Sequence, residues 1–263
     1  MATYLDRILA RHREVAALET RPLDALIDAA RSRPAVRGFS SALRAEADRG
    51  GLGVISEIKR RSPSKGDLNV GLDPVALARA YEAGGASCLS VLTDVEFFGG
   101  STDDLVAARG AVELPVLRKD FTVCEHDVVD ARLMGADCVL LIAAALEPAV
   151  LIGLHRLADE LGLDVLVEIH DERELDHALA ADATLIGVNQ RDLVTFQVDH
   201  DRAVRMASLI PDHAVKVAES GVRGGADASA LRRAGYHAVL VGETLVTAGD
   251  PAAMIRELKA GRS

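Results

Sequence analysis

The sequence contains no tryptophan, and aromatic residues make up only 3% of its 263 positions. Cysteine is also scarce: Cys88, Cys124 and Cys138 show no CxxC spacing, and an odd number does not suit a disulfide framework. We therefore expect buried thiols and a reducing, cytoplasmic location. The eight histidines show no HExxH or other paired ligand spacing, so the sequence predicts no metal site. Only His170, two residues after Glu168, is of interest among them.

Long apolar runs and an excess of positive charge are absent as well. Residues 1–15 place charges among their apolar positions and never form the uninterrupted run of a signal peptide or a membrane span. The net charge of −10 argues against a nucleic-acid surface. We expect neither nucleic acid nor a membrane as a partner. A monomer is expected, and the sequence leaves a dimer open.

A repeated pattern of helix-like stretch, small-residue turn and apolar run predicts the architecture. It occurs in "AYEAGGASCLSVL", "ARLMGADCVLLI", "HALAADATLIGV" and "LRRAGYHAVLVG". Four further apolar runs, "LGVISEIK", "LPVLRKDF", "DVLVEIH" and "HAVKVAESG", bring the number of predicted strands to eight. Their marker residues lie 21 to 36 positions apart, one βα unit per interval: Glu57, Thr93, Lys119, Leu141, Glu168, Asn189, Glu219 and Gly242.

Near-continuous apolar strands that alternate with helices predict a parallel sheet buried on both faces. Eight units favour a closed (β/α)8 TIM barrel of the α/β class over an open doubly wound sheet, and no GxGxxG follows the first strand. Helical patterns at 2–17 and 35–48 indicate that residues 1–50 form a helical extension packed over one end of the barrel. No composition shift marks a linker, so we expect a single domain over residues 1–263.

Charged residues stand where the predicted strands end, which is where active sites of such barrels lie. Side chains two positions apart on a strand share a face. This parity directs one set inward at the mouth of the barrel: Glu57 and Lys59, Lys119 and Phe121, Glu168 and His170, Asn189 and Arg191, and Glu219. Any one of them alone is more often a solvated strand end or a turn former. Three carboxylates gathered near two amines are costly to bury unless they pair, which favours a functional site.

The last two predicted strands end in "AESGV" and "VGETL". A glycine after a strand is usually only a turn. In barrels of this type, however, the ends of strands 7 and 8 often bind phosphate through backbone N–H groups. We therefore expect a phosphate site at Ser220, Gly221, Gly242 and Glu243, with Lys59 and Arg191 as additional positive charges.

Six blocks in order, "SEIKRRSPSKG", "LTDVEFFGGS", "LPVLRKDF", "LVEIHDEREL", "IGVNQRDL" and "VAESGV", closely resemble the indole-3-glycerol phosphate synthase family. The resemblance runs from the N-terminal extension to the last helix. It implies a carboxy-lyase that closes the indole ring of 1-(2-carboxyphenylamino)-1-deoxyribulose 5-phosphate with loss of carbon dioxide and water. It also implies that no cofactor is needed and that the partner is a phosphorylated small molecule.

The resemblance assigns the residues' roles. Lys119 matches the general acid and Glu168 the catalytic carboxylate, while Glu57 and Lys59 complete the catalytic set. The division of the acid role between the two lysines stays open. Substrate binding is implied for Ser62, Phe98, Phe121, Asn189, Arg191 and Glu219.

This chain departs from the family pattern at two places. Some relatives have Ser-Ser after the glycine of strand 8, whereas this chain has Glu243-Thr244, so a phosphate contact from Glu243 would use its backbone N–H. The run "LIAAAL" has alanines where bulkier or polar side chains are expected in some relatives, which leaves the contribution of strand 4 open.

Three other interpretations are weighed against this one. A Schiff-base aldolase would use Lys119 or Lys59 as a neutral amine, but neighbouring carboxylates favour the charged ammonium. A phosphate-binding protein without catalysis would not need acid and base groups on strands 1, 3 and 5. A phosphoribosyl isomerase barrel would usually carry Asp or Cys at strand 1, where this chain has Glu-Ile-Lys.

Overall fold

The protein is described here by a computed structural model of residues 3–192 and 194–261. Eight parallel strands form a closed barrel in which β1 pairs with both β2 and β8. The strands are β1 (Gly53–Ile58), β2 (Cys88–Leu92), β3 (Val116–Lys119), β4 (Cys138–Ile142), β5 (Asp164–Ile169), β6 (Leu185–Asn189), β7 (Val215–Glu219) and β8 (Ala238–Val241). The predicted (β/α)8 barrel and all eight of its strands are confirmed.

Helices return the chain from each strand to the next. They are α4 (Pro74–Gly84), α5 (Thr102–Ala111), α6 (Glu125–Leu133), α7 (Pro148–Glu160), α8 (Glu172–Ala180), α9 (His200–Ala207), α10 (Gly225–Arg233), α11 (Glu243–Val246) and α12 (Pro251–Ala260). Local sequence fixes their ends: in α4, Asp73 caps the first N–H groups, Pro74 holds the first position, and Gly85 ends the helix at φ 87°. No helix within the described residues is long and apolar enough to cross a membrane.

Three helices precede the barrel: α1 (Tyr4–Ala17), α2 (Leu23–Arg31) and α3 (Phe39–Asp48). The sequence predicted α1 and α3 but missed α2. Its signal was present, because Leu23, Leu26, Ile27 and Ala30 follow helical spacing after Pro22. That all of residues 1–263 form one domain stays a prediction.

The extension reaches both ends of the barrel, although the sequence predicted contact with one. At the end where the strands begin, Ser40 N donates to Asp164 Oδ2 and Arg37 N donates to Asp137 Oδ1. At the other end, α1 lies across the mouth, and Arg13 Nη2 donates to the carbonyl of Ala145 just after β4. The mouth of the barrel is thereby partly covered by a helix that is distant in sequence.

Candidate active site

A cavity of about 470 Å³ opens at the carboxyl ends of the strands, beneath α1. Its volume is in the range of small-molecule sites. Leu92, Leu140, Ile142 and Leu240 form part of its apolar lining, and Tyr4, Leu5 and Ile8 of α1 line it from the extension. Every residue to which the sequence assigns a catalytic, substrate-binding or phosphate-binding role lines this cavity, whereas His170, which parity also directs inward, does not. The structure therefore brings these residues together from five strands, β1, β3, β5, β6 and β7, and from loops that follow strands.

The first charged pair stands at the end of β1. Glu57 is almost fully buried, and its Oε1 accepts a hydrogen bond from Lys59 Nζ at 2.5 Å. Ser90 Oγ of β2 donates to the other carboxylate oxygen at 3.4 Å. The neighbouring Arg60 points away from the cavity and pairs with Asp104 on α5, as strand parity predicts. Within "EIKR", parity thus separates Lys59, which faces the cavity, from Arg60, which faces α5.

The second charged pair joins β3 to β5. Lys119 Nζ lies 3.6 Å from Glu168 Oε2, and Asn189 Nδ2 of β6 donates to Glu168 Oε1 at 3.0 Å. Burial opposes the charge on Lys119, but the neighbouring carboxylates, foremost that of Glu168, outweigh it and hold the lysine's pKa above its ordinary value. Burial likewise opposes the charge on Glu168, yet Lys119 and other partners hold the pKa of this carboxyl below its usual range. The pair is an ammonium beside a carboxylate.

Glu219 stands at the end of β7 next to Glu168. Its pKa lies well above the ordinary value, because the side chain is buried and because the charge of Glu168 repels a second negative charge. Its carboxyl group fits only because residue 187 is glycine, since a Cβ there would overlap Glu219 Oε1. The site therefore holds one neutral carboxylic acid beside one ionised carboxylate.

An aromatic wall closes one side of the cavity. The ring centroids of Phe98 and Phe121 lie 6.0 Å apart. Asp94 shapes the loop that carries Phe98, because its Oδ1 accepts from the backbone N–H groups of Phe97 and Phe98 at 2.6 and 2.9 Å. An apolar wall of this kind suits a flat aromatic group.

A cluster of three side chains that the sequence did not predict connects α1 to this wall. His12 Nε2 lies 3.1 Å from Asp94 Oδ2 and 3.7 Å from Asp120 Oδ1. These three side chains could hold a metal ion by their spacing. However, Asp94 Oδ1 already accepts two backbone N–H groups, and Asp120 Oδ2 already accepts Thr93 and Arg118. We interpret the cluster as an ion-paired clasp between α1 and the barrel.

The ends of β7 and β8 form the opposite side. Ser220 and Gly221 both have positive φ, 65° and 75°. Positive φ is unusual for serine, and such backbone strain concentrates at ligand sites. The Glu243 carboxylate lies 3.6 Å from Nζ of Lys65, which also lines the cavity. That the backbone N–H of Glu243 binds phosphate stays a prediction.

Two more predicted residues lie on the loops of the rim. Ser62 belongs to a short antiparallel hairpin, Arg61–Ser62 with Gly66–Asp67, between β1 and α4. Arg191 follows β6, where its N–H donates to Asn189 Oδ1 at 3.0 Å and its Nη1 donates to the carbonyl of Phe196 at 3.1 Å. Both side chains face the cavity from the solvent side.

Comparison with known proteins gives one consistent result. The family model described as indole-3-glycerol phosphate synthase matches residues 5–258. The chain is 50% identical over 259 residues to indole-3-glycerol phosphate synthase of Mycolicibacterium vanbaalenii, covering 98% of this chain and 94% of that protein. It is 52% identical over 233 residues to indole-3-glycerol phosphate synthase 2 of Streptomyces coelicolor, covering 89% of each.

Solved structures are similar in fold. Tryptophan synthase subunit alpha of Legionella pneumophila matches with a TM-score of 0.63 and 14% identity, over 87% of this chain and 98% of that one. At this identity the likeness concerns the barrel alone.

Proposed function

The chain belongs to the indole-3-glycerol phosphate synthase family, a family of lyases acting in tryptophan biosynthesis, and from this premise we propose how its cavity performs the reaction. We propose a carboxy-lyase that converts 1-(2-carboxyphenylamino)-1-deoxyribulose 5-phosphate to indole-3-glycerol phosphate, carbon dioxide and water. The observation that carries the mechanism is the buried Lys119–Glu168 pair, an acid and a base within one cavity.

Ring closure comes first. The aromatic carbon that bears the carboxylate attacks the ketone carbon, a C–C bond forms, and the carbonyl electron pair moves to oxygen. Lys119 is the donor for that developing alkoxide, because its ammonium is buried and fully charged. Lys59 is the second ammonium at the rim, and Glu57 keeps it oriented.

Loss of carbon dioxide restores the aromatic ring. The C–C bond to the carboxylate breaks and its electron pair returns to the ring. We assign Phe98 and Phe121 to the wall around this part of the substrate, since an apolar surface favours release of a neutral molecule over retention of an anion.

Dehydration completes the indole. A proton leaves the methylene carbon beside the ring nitrogen, the C–OH bond breaks, and the hydroxyl leaves as water after taking a proton from the second ammonium, Lys59. Glu168 is the proposed base, because its partners hold it ionised. Asn189 orients Glu168, and the neutral Glu219 beside it completes the network.

The phosphate is placed at Ser220, Gly221, Gly242 and Glu243, where backbone N–H groups can donate to it. Ser62 and Arg191 are assigned to the substrate's polar groups at the rim of the cavity. This arrangement separates the anionic phosphate from the reacting ring.

The direct test is incubation of the purified protein with this substrate and a metal chelator while the indole chromophore is followed. We expect indole to appear at the same rate with and without chelator. If the substrate bound without forming indole, the proposed reaction would be wrong; loss of turnover with chelator would instead contradict the expectation that no metal is needed.

Borohydride treatment with substrate should leave no covalent adduct, since a charged Lys119 is a poor amine nucleophile.

Arg191→Ala should act mainly on KM. The guanidinium lies at the rim, away from the Lys119–Glu168 pair, so its loss removes binding rather than proton transfer. We expect KM to rise about tenfold, on the order of one charge-assisted hydrogen bond, with kcat within about twofold. Arg232→Ala, an exposed arginine in the last turn of α10, is the matched control. A large fall in kcat alone would place Arg191 in the chemistry.

The monomeric state and the cytoplasmic location stay predictions. Sedimentation of the purified chain would check the first of them.

A further inference from the structure

His170 is a buried histidine behind the catalytic carboxylate, on the side away from Lys119. It follows β5 directly and does not line the cavity. Its Nε2 lies 3.7 Å from Glu168 Oε1, and its Nδ1 lies 2.9 Å from Glu174 Oε2 on α8. Only 11% of the His170 side chain is exposed. The ring therefore stands between two carboxylates.

This geometry favours the protonated, positively charged form of the ring. A carboxylate accepts hydrogen bonds and cannot donate them, so each ring nitrogen needs a proton on the side that faces one. The neutral tautomer that donates from Nδ1 to Glu174 would direct the lone pair of Nε2 toward Glu168. Within the described residues Nε2 has no hydrogen-bond partner that would favour such a lone pair. An imidazolium instead donates from Nδ1 to Glu174 and directs its positive Nε2–H side toward Glu168 at 3.7 Å, an ion-pair distance rather than a hydrogen bond.

Glu174 holds the ring from behind. Its Oε2 accepts from the backbone N–H of His170 at 2.7 Å as well as from the ring nitrogen. The first bond is a capping contact at the start of α8, where Asp171 Oδ1 reciprocally accepts from Glu174 N. The second bond is not needed for capping. It orients the imidazole so that its other nitrogen faces the base.

The charges around the ring favour its protonated form. Burial lowers the pKa of His170 and Arg202 on α9 opposes its charge, but Glu174 and Glu168 outweigh both and raise the pKa above its ordinary value. Asp171, Glu172, Arg173 and Arg205 are the other charged groups around this side of the ring. Glu168 thus has a cation on each side, Lys119 near Oε2 and His170 near Oε1.

We propose that His170, held by Glu174, is a positioning residue that keeps Glu168 ionised and oriented while Lys119 is neutral. The proposal rests on the role assigned above to Glu168. Once Lys119 has given its proton to the alkoxide, the ammonium no longer balances the carboxylate. His170 is then the neighbouring cation that remains, so Glu168 reaches dehydration as a base.

The test is the pH profile of kcat for His170→Gln. Loss of the cation raises the pKa of Glu168, so the acid limb of kcat should move to higher pH by about one unit, a loss of about tenfold below the limb. The difference in kcat between the variant and wild type should shrink as pH rises, because His170 of the wild type loses its own charge at high pH. KM should change less than twofold.

Glu174→Gln is the second variant. Its amide oxygen can still accept the backbone N–H of His170, but the charge that supports the imidazolium is gone. We expect a shift of the acid limb in the same direction. Asp176→Asn, which removes an exposed carboxylate from the same helix, should leave the profile unchanged.

An equal fall in kcat at every pH, or an unshifted acid limb in both variants, would overturn the proposal and leave His170 a packing residue. If His170→Gln did not fold, Glu174→Gln would decide by the same criterion. Failure of the proposed function is distinguishable, since in that case the wild-type protein would form no indole at any pH.

Discussion

Lys119→Ala is expected to lower kcat by roughly 10²–10⁴, the scale of general acid catalysis, and to change KM by less than about threefold. The side chain is buried beside the carboxylate of Glu168, which keeps it charged. Its removal takes away the proposed proton donor for the alkoxide, whereas the proposed binding groups, Lys59, Arg191 and the phosphate end, should still bind substrate. Steady-state kinetics with the indole signal measures both parameters, and a thermal melt checks that the variant is folded.

Lys119→Arg separates acidity from charge. A guanidinium keeps the positive charge beside Glu168, but it does not give up its proton in proteins and is therefore a poor acid. We expect kcat of this variant to stay within about tenfold of that of Lys119→Ala. If Arg restored turnover, charge stabilisation alone would explain the role of Lys119. If Lys119→Ala kept near wild-type kcat, the acid would be Lys59, and Lys59→Ala should then show the loss.

The rim of the barrel could be predicted from sequence because its position depends on local rules. Side chains alternate along a strand, and parallel strands bring their carboxyl ends to one edge. These two rules sufficed to place Glu57, Lys119, Glu168, Asn189 and Glu219 around one cavity. They also placed Arg60 on the outer face, where it meets Asp104.

Other features depend on packing between distant segments. The clasp joins His12 to Asp94 and Asp120, more than 80 residues away, and no periodicity specifies that contact. The same holds for the position of α1 across the mouth. The His170–Glu174 contact joins residues only four positions apart. The role inferred for the ring, however, depends on a second neighbour, Glu168. Parity predicted that Glu168 and His170 share a face, but it did not indicate the distance between them.

The site contains a small residue whose role the sequence did not reveal. Gly187 on β6 is two positions before Asn189 and therefore shares its inward parity, but the sequence indicates no role for it. In the structure its missing side chain is the space that the Glu219 carboxyl occupies. A larger residue would displace that carboxyl, and Glu168 would lose its neutral neighbour.

Glu168→Gln is expected to lower the rate of indole formation by roughly 10²–10⁴ while leaving the earlier release of carbon dioxide in place. The amide has the shape of the carboxyl, and its oxygen can still accept from Asn189 Nδ2. It cannot take the proton that dehydration requires. Loss of the negative charge also lowers the pKa of Lys119, which does not weaken that residue as an acid.

A single-turnover experiment that follows carbon dioxide and indole separately distinguishes the roles proposed for Lys119 and Glu168. In Glu168→Gln, carbon dioxide should appear before a slow rise of indole, whereas in Lys119→Ala both products should be delayed together. Glu172→Gln, an exposed carboxylate on α8, should match wild type in both signals. Simultaneous loss of both products in Glu168→Gln would move this carboxylate to ring closure, and unchanged signals would remove it from the mechanism. Because dehydration is the only step in which the proposed base acts, the order of the two signals tests the assignment more sharply than the size of the loss.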